Sequence, residues 1–125
     1  MKLDSYKVNR KHRDQKAKAD CTQWKVSEWE EVKLFSIAKI KEWICPKNNL
    51  WAIEKNGNKH TELGHTDKDI AYLAKYVTNK NNEWHGYPVT PSREADRPPT
   101  IVLDSWRKEQ LITKPQQSKI IKGKW

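Results

Sequence analysis

Four histidines are the side chains of this 125-residue sequence best suited to moving protons near neutral pH. One histidine with a cation and a hydroxyl can cleave RNA without a metal, because the ribose 2′-OH is the nucleophile and only proton transfers are needed. His85 has the most suggestive neighbours, Trp84 and Gly86, and His60 flanks a predicted turn. If the chain is a nuclease, the sequence predicts His85 and His60 as its catalytic residues. The alternative is that His85 only hydrogen-bonds a turn.

A proline-rich connection follows His85. Four of the six prolines lie between residues 88 and 99, and so long a connection in a small protein is often functional. Arg93 and Arg97 could hold a phosphate there, and Trp84 and Tyr87 could stack on unpaired bases. We therefore expect residues 84–97 to form the functional face. In the alternative interpretation the prolines stiffen a surface crossover and the two aromatic rings pack beneath it.

The positive charge lies at the two ends of the chain. Residues 1–25 carry eight lysines and arginines against three aspartates, and residues 114–125 carry four lysines and no acid. The 88 residues between them are neutral, although the whole chain has a net charge of +9. Lysine acts as a point charge, so such ends bind phosphate with little sequence preference. We expect RNA or single-stranded DNA as partner, with Lys119, Lys122 and Lys124 among its contacts; a tail kept for solubility is the alternative.

Several classes of protein are disfavoured by what the sequence lacks. No run of roughly 18 apolar residues is present, so we expect no membrane span. Cys21 and Cys45 lie far apart and no histidine pair has a metal-binding spacing, so we expect two thiols and no metal. The opening residues have no apolar segment of a secretory signal, which predicts a cytoplasmic chain. The motifs of nucleotide-binding enzymes and serine hydrolases are missing, and we expect no cofactor.

The sequence patterns of the elements that must position these residues predict one α+β domain over residues 24–125. A partly ordered basic arm, residues 1–23, is predicted to precede it. A capping box at Ser27–Glu30 and apolar residues three and four apart predict a long amphipathic helix that ends before Pro46. Asn56-Gly57 predicts a β-hairpin with a type I′ turn. A second helix is predicted from Thr66 to about residue 78.

An extended segment through Trp84–Val89 and two short helices complete the prediction. The helices cover residues 100–110 and 114–122 and have helix–turn–helix spacing, so the second could read DNA or simply complete the fold. The predicted core comprises Trp29, Val32, Phe35, Ile40, Trp43, Ile53, Ile70, Leu73, Val77, Leu103 and Trp106.

Three function hypotheses follow, and whether the chain is an enzyme stays open. The leading one is a basic protein that binds RNA or single-stranded DNA without strong sequence preference. The second is a toxin-like, metal-independent ribonuclease that uses His85 for acid–base chemistry. The third is an adaptor or immunity-type protein with a protein partner, which the seven tryptophans would suit. Cleavage of RNA in the presence of a chelator would separate the first two.

Overall fold

The computed structural model describes residues 4–14 and 21–125 and has a mixed α+β fold. Its helices are α1 (Glu28–Lys41), α2 (Thr100–Lys108) and α3 (Lys114–Ile121). The described strands are β1 (Ser5–Tyr6), β2 (Gln23–Trp24), β3 (Leu50–Ile53), β4 (Lys55–Asn56), β5 (Lys59–His60), β6 (Gly64–His65), β7 (Ile70–Ala71), β8 (Leu73–Thr78) and β9 (Glu83–Val89). In the described residues, no helix has the length and apolar composition needed to cross a bilayer.

A four-stranded sheet in the order β1-β9-β8-β3 positions the site. β8 pairs antiparallel with β3 and β9, whereas β1 pairs parallel with β9. Because side chains alternate along a strand, the register places Trp84 and Gly86 on one face of the sheet and His85 and Tyr87 on the other. The predicted extended segment Trp84–Val89 is therefore confirmed as β9, with its histidine facing away from its tryptophan.

Helix α1 covers the face that carries Trp84. The Tyr76 hydroxyl donates to the Glu31 carbonyl at 2.9 Å, and the Phe35 ring lies 5.4 Å from the Trp84 ring. The helix begins at Glu28 because Ser27 accepts the Glu30 N–H at 3.2 Å, which is one of the two hydrogen bonds of the predicted capping box. Ala38 and Leu34 complete the buried side of the helix.

The outward side of α1 corrects part of the predicted core. Trp29 is 75% exposed and Ile40 is 80% exposed, on the face opposite Leu34 and Ala38. Apolar residues occur all round this helix, so spacing alone could not identify the buried face. Ile70 is also exposed and Val32 and Val77 are half-buried, whereas the other predicted core residues are buried: Phe35, Trp43, Ile53, Leu73, Leu103 and Trp106.

The helix predicted from Thr66 is wrong, because the segment forms β7 and β8. Residues 73–76 are all buried although Lys75 is among them, and the apolar residues of a strand covered on both faces can also satisfy helical spacing. The predicted hairpin exists as β4 and β5, but its central residues are Gly57 and Asn58. Gly57 has φ +62° while Asn56 is not left-handed, which excludes the type I′ turn centred on Asn56-Gly57.

Both termini contribute to the packed structure. The Tyr6 ring lies 4.8 Å from that of Phe35, so β1 belongs to the aromatic cluster under α1; residues 1–3 and 15–20 of the predicted arm lie outside the described residues. The predicted C-terminal helix pair is confirmed. Its second helix begins with a capping box in which Thr113 and Gln116 exchange hydrogen bonds of 2.8 and 3.3 Å.

Candidate active site

A pocket of about 520 Å³ opens on the face of the sheet that carries His85. Its floor is formed by side chains of β8 and β9, and its walls by the 3-10 turn Arg10–His12, the connection between β6 and β7, and the proline-rich loop. The floor residues are Val77, His85, Tyr87 and Val89. The wall residues include Lys11, His12, Thr22, the turn Thr66–Asp69, Thr90, Ser92, Arg93 and Asp96.

His12 is a buried side chain of this pocket that is held by a ring contact and a hydrogen bond. It is only 4% exposed, and its ring stacks on that of Tyr87 with centroids 5.1 Å apart and planes inclined by 14°. Its Nδ1 lies 2.7 Å from the Thr22 carbonyl oxygen. A carbonyl only accepts, so Nδ1 carries the proton in the neutral ring and Nε2 is the basic atom. Burial lowers the pKa of His12, against the opposing effect of the Thr22 hydrogen bond.

His85 is half-buried and approaches the same tyrosine, with ring centroids 6.4 Å apart. Burial lowers the pKa of His85, and the positive charge of Lys11 lowers it further. Lys11 and His85 also contribute to lowering the pKa of His12. The pocket therefore holds two neighbouring imidazoles that are mainly neutral at pH 7, beside a lysine.

Hydrogen bonds between β9 and the segment that contains Thr22 and β2 hold His12 in place. The Thr22 hydroxyl donates to the Pro88 carbonyl at 2.6 Å, which ties the segment that contacts His12 to the strand that carries His85. Trp24 Nε1 donates to the Gly86 carbonyl at 3.2 Å in the same way. These bonds join residues more than sixty positions apart, so the two histidines share one rigid support.

The proline-rich loop is fastened to the sheet beside Tyr87. Lys75 Nζ donates to the Ala95 carbonyl at 2.7 Å and lies 3.5 Å from the Asp96 carboxylate, while Trp51 Nε1 donates to the Asp96 carbonyl at 3.1 Å. Arg93 lines the pocket. Arg97 instead donates to the Pro91 carbonyl at 2.7 Å, so it shapes the loop and does not line the pocket.

Of the residues predicted from the sequence, the structure brings His85, Tyr87 and Arg93 together. Trp84 is 2% exposed, so its ring cannot stack on a base. His60 lies elsewhere: its Nε2 is 2.6 Å from the Leu111 carbonyl and its ring contacts Trp125. The three predicted lysines are exposed on or just after α3 and do not line the pocket: Lys119, Lys122 and Lys124.

His12 is the residue that sequence reasoning missed. Residues 1–23 contain few large apolar side chains, so their composition predicts a basic arm and not a part of the site. The available signal was the dipeptide Lys11-His12, which places a cation next to a titratable ring. Nothing in that local sequence indicates that the ring would meet Tyr87.

Charges of both signs line the pocket. Lys11, Lys68 and Arg93 line it together with Asp67, Asp69 and Asp96, and the Asp96 carboxylate also lies 3.5 Å from Lys75 Nζ. Among residues 4–14 and 21–125, no three histidine, cysteine or acidic side chains are grouped so that they could hold a metal ion. The arrangement can exchange protons through two histidines and can neutralise an anion through Lys11 and Arg93. Function has to be inferred from these side chains, because comparison of the chain with protein-family models, curated proteins and solved structures gives no match.

Proposed function

We propose that this protein is a metal-independent ribonuclease whose general base is His12 and whose general acid is His85. The observation that carries the proposal is the convergence of both imidazoles on Tyr87, in an open pocket that also holds Lys11. RNA transphosphorylation requires one group that takes a proton and one that gives a proton, and a histidine pair can supply both.

The reaction follows from the tautomer of His12. With Nδ1–H held by Thr22, the Nε2 lone pair takes the proton of a ribose 2′-OH, and the oxygen attacks the adjacent phosphorus. The bond from phosphorus to the 5′ oxygen breaks, and protonated His85 gives its proton to that leaving oxygen. The products are a 2′,3′-cyclic phosphate and a 5′-hydroxyl. Lys11 and Arg93 balance the charge of the phosphate during the step.

A second candidate function is binding of RNA or single-stranded DNA without cleavage. The net charge of +9 and the exposed lysines of residues 114–125 favour it, because lysines attract any polyanion. Under either function we place the protein in the cytoplasm, where Cys21 and Cys45 would remain thiols. The two functions are compatible, since the same lysines would bring RNA to the pocket.

Incubation of a labelled single-stranded RNA with the protein in EDTA tests the proposal. We expect fragments that end in cyclic phosphate, and no cleavage of an oligonucleotide with a single 2′-deoxyribose at the cleaved position. His12→Asn retains a donor toward Thr22, and His85→Gln retains a polar side chain in the pocket. Each should reduce the rate by about 10²–10⁴-fold, the usual contribution of a general acid or base.

His60→Gln is the matched control, because His60 lies outside the pocket, and it should leave the rate unchanged. RNA binding with no cleavage by the parent protein would support the second candidate. Cleavage that persists in both pocket variants would rule out the histidine mechanism.

A further inference from the structure

Two arginine–glutamate pairs connect the turn that carries His12 to helix α1. Arg10 Nη1 lies 2.5 Å from Glu28, and Arg13 Nη2 lies 2.7 Å from Glu31. The two arginines are three residues apart in the chain, and so are the two glutamates. The pairs differ in their surroundings. Arg10 and Glu28 are solvent-exposed, whereas the Glu31 side chain is 0% exposed and that of Arg13 is 14% exposed.

The buried pair is fully hydrogen-bonded. Arg13 Nε and Nη2 donate to one oxygen of Glu31 at 3.1 and 2.7 Å, and Arg13 Nη1 donates to the Val26 carbonyl at 2.8 Å. The Tyr6 hydroxyl donates to the other oxygen of Glu31. Burial raises the pKa of Glu31, which the hydrogen bonds from Tyr6 and Arg13 oppose. A buried carboxylate is costly to desolvate, so this pair contributes more to the geometry of the turn than to its stability.

The backbone of the same turn is held by other buried polar groups. Gln23, which is 1% exposed, donates from Nε2 to the Lys11 carbonyl at 2.7 Å, and the Cys21 thiol donates to that carbonyl at 3.2 Å. Of the five buried polar side chains in the described part of the chain, three are in or against this turn: His12, Gln23 and Glu31. The turn Arg10–His12 has no apolar side chain of its own, so polar contacts replace apolar packing as its anchor.

We propose that Arg13 and Glu31 are positioning residues that hold His12 against Tyr87, and the claim rests on the proposed function only for its activity measurement. Helix α1 packs on the face of the sheet that carries Trp84, while His12 lies on the face that carries His85. The Arg13 side chain spans the two through Glu31. It thereby fixes the turn relative to the sheet on which Tyr87 stands.

Arg13→Gln, Arg13→Lys and the control Arg10→Gln test the claim. The control removes the same charge from the same turn but only from an exposed pair. We expect Arg13→Gln to lower kcat by about 10²-fold, the effect of displacing a reacting group by roughly 1 Å, with little change in KM. The pKa of His12, followed by NMR, should rise toward its ordinary value because release of the turn exposes the ring. Arg13→Lys should give a kcat and a His12 pKa between those of the parent and those of Arg13→Gln. Arg10→Gln should match the parent in both.

Two independent measurements separate this claim from the proposed function. If the parent cleaves no RNA but Arg13→Lys still raises the pKa of His12, the ribonuclease proposal fails and the positioning claim stands. If Arg13→Gln does not fold, Arg13→Lys provides the measurement, since it retains the charge next to Glu31. A folded Arg13→Lys variant with the parent's His12 titration would overturn the claim, whatever its activity.

Discussion

The ring of His12 lies nearly parallel to the ring of Tyr87, at a centroid distance of 5.1 Å and an angle of 14°. Burial raises the pKa of Tyr87 to about 12, so the phenol stays protonated and uncharged at neutral pH. A neutral aromatic plane therefore covers one face of His12, and the Thr22 carbonyl fixes its Nδ1 at 2.7 Å. The surroundings of this histidine favour its uncharged form, which is the form that can act as a base.

The stability of the protein should consequently fall on acidification through the histidine range. The pKa of His12 is lowered by burial, so below its ordinary value of about 6.5 the unfolded chain binds a proton that the folded chain resists. Stability from this group is complete above about pH 6.5 and is lost as the pH falls toward the pKa of the folded state. Urea denaturation of the parent and of His12→Asn at pH 7.5 and 5.5 measures the effect. For each protein, the free energy of unfolding at pH 5.5 is compared with its own value at pH 7.5. An equal loss in the parent and in His12→Asn would contradict the prediction.

The rate of RNA cleavage should have a bell-shaped pH profile centred below about pH 6.5. Burial lowers the pKa of both His12 and His85, and the mechanism needs one ring neutral and the other protonated. Lys11→Gln should move the profile to higher pH, because the Lys11 charge contributes to lowering both values. Lys7→Gln, an exposed substitution outside the pocket, is the control for loss of one positive charge. If Lys11→Gln does not shift the pH profile, the two sides of the profile do not report the titration of His12 and His85.

The affinity for single-stranded RNA should depend steeply on salt through the C-terminal lysines. Replacing Lys119, Lys122 and Lys124 by glutamine should reduce the slope of log affinity against log salt by about 2, since each phosphate contact on a single strand contributes roughly 0.7. Replacing Lys33, Lys47 and Lys80, exposed lysines of the neutral central part, removes the same charge and should leave the slope nearly unchanged. Equal effects of the two triple variants would mean that only net charge matters.

Gly86 is the position of β9 where a side chain should be least tolerated. A Cβ there would lie 2.2 Å from the Tyr76 ring and 2.9 Å from the Tyr6 hydroxyl, and both rings are part of the packed cluster under α1. Gly86→Ala should lower the free energy of unfolding by about 1–3 kcal/mol or more, as overpacking does. Gly57→Asn is the comparison: its Cβ meets nothing within 4 Å, and asparagine tolerates its φ of +62°. Chemical denaturation of both variants gives the difference.

Signals confined to a few neighbouring residues predicted their elements correctly. The hydroxyls of Ser27 and Thr113 cap the helices that follow them, because a capping bond depends only on residues within one turn. The segment of β7 and β8 has helical spacing but forms strands, since the choice between helix and strand there depends on which neighbours cover it. β8 lies between β3 and β9, and neither pairing is visible in the sequence of β8 itself.

Only the part of the candidate site that lies on β9 could be predicted from the sequence. His85 and Tyr87 are two residues apart on β9, so alternation places them on one face, and the same alternation buries Trp84. The two-residue alternation of a strand therefore excludes Trp84 from the binding residues once His85 and Tyr87 are placed on the pocket face. His12 reaches the site through the parallel pairing of β1 with β9 and the contacts of Thr22 and Gln23 with its turn. Such long-range pairing follows from the whole fold and has no local signal.

The parallel pairing of β1 with β9 also determines when the site can exist during synthesis. Ser5 and Tyr6 pair with Glu83 and Trp84, so the first of the described strands pairs with the last of them. A nascent chain that ends before β9 carries His12 but has neither Tyr87 nor His85 to set beside it. Since chains are synthesised from their N-terminus, the stacking of His12 on Tyr87 cannot form on the ribosome until β9 has been translated.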